Sequence, residues 1–174
     1  AGIRGLWIGP YLDDVFAMST AQIGSASLVM GLAMIAGTLT YGPADRIFGT
    51  RKWVVLIGNA IVALACFALA RWIDTGPVPA IAMMAAVGFF GASFPVIIAH
   101  ARSFFPPHLT GRGVTLLNLF GIGGVGVMQP LSGKLHGALS ETAPTLAYQS
   151  LFALFGALTL AGVFIYLFSQ DRTD

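Results

Sequence analysis

The chain has 174 residues, 56% hydrophobic and only 9% charged, with a mean hydropathy of +0.83, which excludes a soluble globular or a disordered chain. Nine basic against seven acidic residues leave a net charge of +2, scattered along the chain, and this excludes nucleic acid as a partner. The single cysteine, Cys66, excludes an internal disulfide and a thiolate metal site.

In chain order, the first apolar segment runs from Leu6 to Leu12 and is too short to cross a bilayer. Its Trp7 and Tyr11 are four residues apart and share a helix face, which suits either an interfacial aromatic belt or a substrate site. Ala21–Leu39 follows, free of formal charge and long enough to span, then the charged stretch Tyr41-Gly42-Pro43-Ala44-Asp45-Arg46-Ile47-Phe48-Gly49-Thr50-Arg51-Lys52, which reads as a loop. Trp53–Ala70 spans next, with Asn59 as a structural amide and Cys66 as a small core residue. After the turn Asp74 to Pro79, Ala80–Ala99 is the third span. It carries Phe89, Phe90, Ser93 and Phe94 before Pro95, an aromatic wall at an expected helix bend. His100 and His108 flank the Phe105-Pro106-Pro107 turn without metal-ligand spacing and read as interfacial.

Val114–Leu131 is the fourth span. Asn118 and Gln129 lie eleven apart in it, which at about 100° per residue puts them on nearly one stripe with Ile122 and Val125. An amide in hydrocarbon is costly unless it is paired or faces a wet cavity, so the stripe either lines a pathway or bonds a neighbouring helix. Gly123, Gly126, Pro130 and Gly133 cluster about a quarter-turn away and predict a close helix approach or a kink. Leu146–Phe168 is the last span. The whole therefore predicts an all-α, polytopic transmembrane helix bundle, five complete spans plus one partial span, forming a single domain over residues 1–174.

Alternate loops differ in basic residues. Arg46, Arg51, Lys52, Arg102, Arg112 and Arg172 fall on one side, Arg71 and Lys134 on the other, with Arg4 in the partial span unassigned; the richer side, with the C-terminus, is expected in the cytoplasm. Asp13, Asp14, Asp74 and Glu141 then fall outside. At the inner surface Asp45 lies within reach of Arg46, Arg51 and Lys52, and a helix N-terminus facing such a carboxylate would make the cluster a latch. The basic residues serve equally well as topology determinants that touch lipid phosphates.

The Asp45 segment resembles the signature loop of the major facilitator superfamily: a Gly, an Asp-Arg pair, then a Gly followed by basic residues. It departs from that pattern in that Gly42 stands one residue too close to Asp45, Phe48 takes a usual glycine position and Gly49 comes one place late. Gly5-Leu6-Trp7-Ile8-Gly9-Pro10-Tyr11-Leu12, Gly111-Arg112-Gly113 and Gly126 to Gly133 extend the resemblance over the whole chain. The resemblance implies the C-terminal half of such a transporter, the end of helix seven and then helices eight to twelve, with the N-terminal six-helix half and most of helix seven absent. It implies a multi-pass protein of a bacterial inner membrane, moving a small solute by alternating access, with or without a coupling proton or ion. It also puts Trp7 and Tyr11 on a cavity-lining helix. The partners expected are the lipid bilayer, the missing half and the solute; no cofactor and no metal are expected. A non-transporting membrane interaction module and a membrane-embedded enzyme are the alternatives, and the lack of Asp, Glu, Lys and Arg at the span centres argues against the second.

Overall fold

The computed structural model describes residues 6–140 and 143–173. Gly5 of the opening motif, Arg4 and Glu141 lie outside the described residues. The chain is an all-α bundle of seven helices among the described residues: α1 (Ile8–Phe16), α2 (Thr20–Phe48), α3 (Lys52–Arg71), α4 (Pro77–Phe90), α5 (Phe94–Arg102), α6 (Thr110–Ser140) and α7 (Pro144–Tyr166). Five helical segments are long and apolar enough to cross a membrane, with α4 and α5 counted as one. These are the five spans expected from hydropathy, and α1 is the partial one.

Helix ends differ from the expected loops. The stretch from Tyr41 to Phe48 is not loop but the last two turns of α2, which at 29 residues is about 43 Å long and outruns a core of about 30 Å. Hydropathy falls where a helix leaves hydrocarbon, not where its hydrogen bonds stop. Pro43 is accommodated inside the helix, near its end, where water can take the carbonyl that proline leaves unpaired. The helix stops at Gly49, whose φ of 64° is left-handed and favours glycine, so the late position of this residue in the signature has a structural role. At its start α2 is fixed by a capping box: Ser19 Oγ accepts from the Gln22 amide and Gln22 Oε1 accepts from the Ser19 amide at 2.8 Å.

The third span bends where expected. Between α4 and α5, Gly91–Ser93 form a tight 3₁₀ turn, and Ala92 has ψ of 18°. Pro95 cannot donate to the Gly91 carbonyl, and its ring disfavours a straight α-helix through that turn. Tyr41 reaches across from α2 and donates to the Phe90 carbonyl at 2.9 Å, satisfying one backbone group at the break.

Two apolar clusters hold the bundle. The larger joins Tyr11 and Leu12 of α1 to Leu69 of α3, Met84 of α4 and Tyr148, Leu151 and Phe152 of α7. The smaller packs Tyr41, Val55, Ala92 and Val96 near the other end. Close approach is set by glycines of α2, α3 and α4: a Cβ on Gly37 would meet the Phe89 carbonyl oxygen at 2.2 Å, and one on Gly88 the Met30 carbonyl oxygen at 2.9 Å. Gly58 leaves room for the Tyr41 hydroxyl. The expected glycine packing on α6 is absent here, since a Cβ on Gly123, Gly126 or Gly133 would meet nothing within 4 Å among the described residues. Pro130 on the same stretch of α6 lies within an unbroken helix.

Candidate functional site

The break between α4 and α5 opens onto a cavity of about 850 Å³ walled by α2, α3, α6 and α7. Gly91, Ala92, Phe94 and Pro95 contribute the broken backbone, and Gln129, Val125 and Ile122 contribute the α6 stripe. Non-helical backbone at membrane depth is tolerated where it is buried in protein or lines a water-filled space, and interrupted helices mark binding sites in transport proteins. The walls are mostly apolar, with Met30, Met34 and Phe155 among them, so the few polar groups decide orientation. Thr38 and Thr159 spend their hydroxyls on Met34 and Phe155 carbonyls of their own helices, at 2.9 and 2.8 Å. Asn59, which lines the cavity, donates from Nδ2 to the Val55 carbonyl at 2.9 Å and to Ser93 Oγ at 3.0 Å.

The residues expected in a pathway are therefore split. Gln129 lines the cavity; Asn118, on the same stripe nearly three turns away, does not. Ser93 is only 2% exposed and sits behind Asn59, which was expected to be structural and turns out to be part of the wall. Trp7 and Tyr11 do share a face, but that face is core: Tyr11 is fully buried and donates to the Ile73 carbonyl at 2.7 Å, and Trp7 Nε1 donates to Ser132 Oγ at 3.1 Å. Ser132 in turn donates to the Gln129 carbonyl, so α1 begins one turn of α6 away from the cavity.

At the opposite end from Tyr11, the signature residues form an ion cluster that also engages the C-terminal tail. Asp45 pairs with Arg51 Nε at 3.1 Å, both side chains partly buried. The expected partners Arg46 and Lys52 make no ion pair with it among the described residues, and Lys52 instead lies 5.6 Å over the Trp53 ring. Gly42, Asp45, Arg46, Gly49 and Arg51 border a polar cavity of about 480 Å³ that Thr173 of the tail also lines. Asp171 caps α3: it accepts from the Lys52 amide at 3.0 Å, the Arg51 amide at 3.2 Å and the Thr50 hydroxyl. Burial alone would push the Asp171 carboxyl up, but the Thr50 hydroxyl, the two amides and nearby His100 together hold it below its ordinary value. A lowered carboxyl stabilises the fold above pH 3.8, its ordinary value, and that contribution is lost as pH falls through the depressed one. Nothing local in the sequence flags Asp171, which lies about 120 residues from the amides it caps.

His100, expected at the interface, is 2% exposed and donates from Nε2 to the Gln170 carbonyl at 2.9 Å, while Nδ1 pairs with the Tyr166 hydroxyl. Arg172 stacks 4.7 Å over Phe104 and donates to the Ser103 carbonyl. The ends of α2, α5 and α7 and the start of α3 are thus tied at one end of the bundle, the end that holds the six basic residues grouped above. Among the described residues no three His, Cys, Asp or Glu side chains gather as a metal site.

No curated protein and no solved structure matches the chain. The sequence profile of the Major Facilitator Superfamily matches residues 4–174. With five apolar spans and a profile match over nearly its whole length, the chain belongs to the Major Facilitator Superfamily of membrane transporters.

Proposed function

We propose that this chain is the C-terminal six-helix half of a secondary active transporter and carries one wall of a solute pathway that opens alternately to the two sides of the membrane. The observation that supports the pathway best is the break at Gly91–Ser93 facing Gln129 across an apolar cavity. The apolar face of α6 supports a second half as the partner, because Gly123 and Val127 offer it a close approach on a side of the helix that no neighbour meets among the described residues. In this reading α1 is the outer end of a longer seventh helix. The end bearing Arg46, Arg51, Lys52, Arg102, Arg112 and Arg172 is cytoplasmic, and the membrane is a bacterial inner membrane.

The test is Gln129→Ala in the full-length protein, after a panel of small solutes in membrane vesicles has identified one that is taken up. If Gln129 faces water, the half-saturating concentration of that solute rises while thermal stability stays level, since water satisfies whatever partner remains. If the amide instead bonds a neighbouring helix, stability falls by about 0.6 kcal/mol, at most about 1.7, with uptake affinity intact, and the pathway assignment fails.

The Asp45–Arg51 pair, braced by the tail, acts as a cytoplasmic latch that biases one of the two states. Asp45→Asn keeps the shape and removes the charge. It shifts the inward–outward balance by about 1 kcal/mol, read as altered labelling of engineered cysteines from the two sides; unchanged labelling reduces Asp45 to a solvated surface charge.

A further inference from the structure

The apolar run of α2 stops at Leu39 while its helix continues to Phe48, and α3 begins at Lys52, so the two helices meet the edge of the hydrocarbon together at the signature end. Between them, with α4 behind, lies an open groove of about 420 Å³. Tyr41, Ala44 and Phe48 of α2, Trp53 and Ile57 of α3 and Phe89 of α4 line it. Phe48, Trp53 and Ile57 are exposed, and neither the pathway nor the Asp45 latch uses them.

The hydroxyls in the wall decide what fits, because each already donates within the protein. Tyr41 donates to the Phe90 carbonyl at 2.9 Å, Thr40 to the Ala36 carbonyl at 2.8 Å and Thr50 to Asp171. The remaining side-chain donor, the Trp53 indole, belongs to a residue type that favours the headgroup level of a bilayer. A polar solute therefore finds no free hydroxyl donor, and a hydrocarbon chain needs none. At the rim Lys52 Nζ lies 5.6 Å over the Trp53 ring. Its charge is uncompensated: Asp45 pairs with Arg51, Asp171 accepts from the Lys52 amide rather than the ammonium, and no carboxylate reaches ion-pair distance of Nζ among the described residues. An apolar groove at the hydrocarbon edge with an unpaired cation at its mouth is complementary to an acyl chain joined to an anionic head.

We propose that this groove binds one anionic phospholipid of the adjoining leaflet, with an acyl chain along Phe48, Trp53 and Ile57 and the phosphate on Lys52. The chain also lies against Tyr41, which lines the groove and whose hydroxyl holds the Phe90 carbonyl beside the helix break. A bound lipid thus supports the bond that ties α2 to the break. The site requires only that α2 and α3 meet a bilayer, and it stands apart from any solute that the protein moves.

The experiment uses the full-length protein with Trp53 as its sole tryptophan, reconstituted into phosphatidylcholine vesicles. Phosphatidylglycerol brominated on its acyl chains is titrated in, and brominated phosphatidylcholine serves as the comparison, since bromine quenches an indole that it touches. Trp53 should be half-quenched at an about fivefold lower mole fraction of the brominated phosphatidylglycerol, the preference that one basic residue confers. With Trp53→Phe, a reporter introduced as Leu64→Trp on the exposed face of α3 meets ordinary boundary lipid and should show no preference. Lys52→Gln should abolish the preference at Trp53 by removing the partner of the head. Thr40→Phe, at an exposed position, should abolish it by filling the groove, and thermal unfolding establishes that both variants are folded. Equal quenching of Trp53 by the two lipids, the same preference at position 64, a preference that survives Lys52→Gln or Thr40→Phe, or a Trp53 that neither lipid quenches because protein covers the groove would each overturn the proposal. None of these readouts involves solute uptake, so a protein that transports nothing but shows the preference contradicts the transporter reading alone.

Discussion

Alanine at Gly37 should destabilise the bundle by about 2–3 kcal/mol, enough to shift thermal unfolding clearly or to abolish recovery of folded protein. The added Cβ would lie 2.2 Å from the Phe89 carbonyl oxygen, 2.9 Å from its carbon and 3.0 Å from its Cα. All three are backbone atoms, so no rotamer change relieves the overlap and α2 must back away from α4. Helix propensity acts the other way, since alanine is better than glycine in a helix by about 1 kcal/mol, but that gain is smaller than the cost of separating two packed helices. Gly123→Ala has the same propensity gain and no clash, and should be neutral to stabilising in this chain. A neutral Gly37→Ala would show that α2 and α4 do not cross at this distance.

Tyr11→Ala should cost about 3–5 kcal/mol, the range for removing a large buried ring. Tyr11 is fully buried and meets Phe16, Tyr148 and Phe152 edge-on at 5.6, 5.5 and 5.0 Å. Its removal opens a hole among those rings and orphans the Ile73 carbonyl. Tyr11→Phe keeps the ring and should cost only about 1 kcal/mol, the size of a lost hydrogen bond. A solute-binding tyrosine in a wet cavity behaves differently, losing affinity with little change in stability, and that outcome would return Tyr11 to the pathway.

The sequence made the spans legible because hydrophobic length is a property of consecutive residues. The bend before Pro95 was legible for the same reason: proline acts on its own turn. Helix ends were less so, as α2 shows, because the charged residues after Leu39 mark the edge of hydrocarbon while the helix continues to Phe48. Which glycines pack could not be read locally. Gly37 and Gly123 sit in similar apolar runs, and only the partner helix distinguishes them. An aromatic face such as Trp7–Tyr11 likewise looks the same whether it meets a core or a cavity. In the site, the Gln129 stripe was visible from helical spacing, whereas Asn59 was placed on the wall by a neighbour 34 residues away. Asp171 gains its role from residues about 120 positions distant, beyond the reach of any motif.

The cavity behind the α4–α5 break is the centre of the account, and cysteine accessibility tests it most directly. With Cys66 replaced by Ala in the full-length protein, single cysteines are placed at Ile122 and Gln129 on the cavity wall and at Leu64 on the exposed face of α3. In intact membrane vesicles a charged, water-soluble thiol reagent should modify the cysteines at 122 and 129 and leave the one at 64 unmodified, because only a wet cavity brings such a reagent to membrane depth. Cysteines at 122 and 129 that stay as unreactive as the one at 64 would mean that the stripe faces lipid or packed helix, and the account of a solute pathway through this half would be wrong.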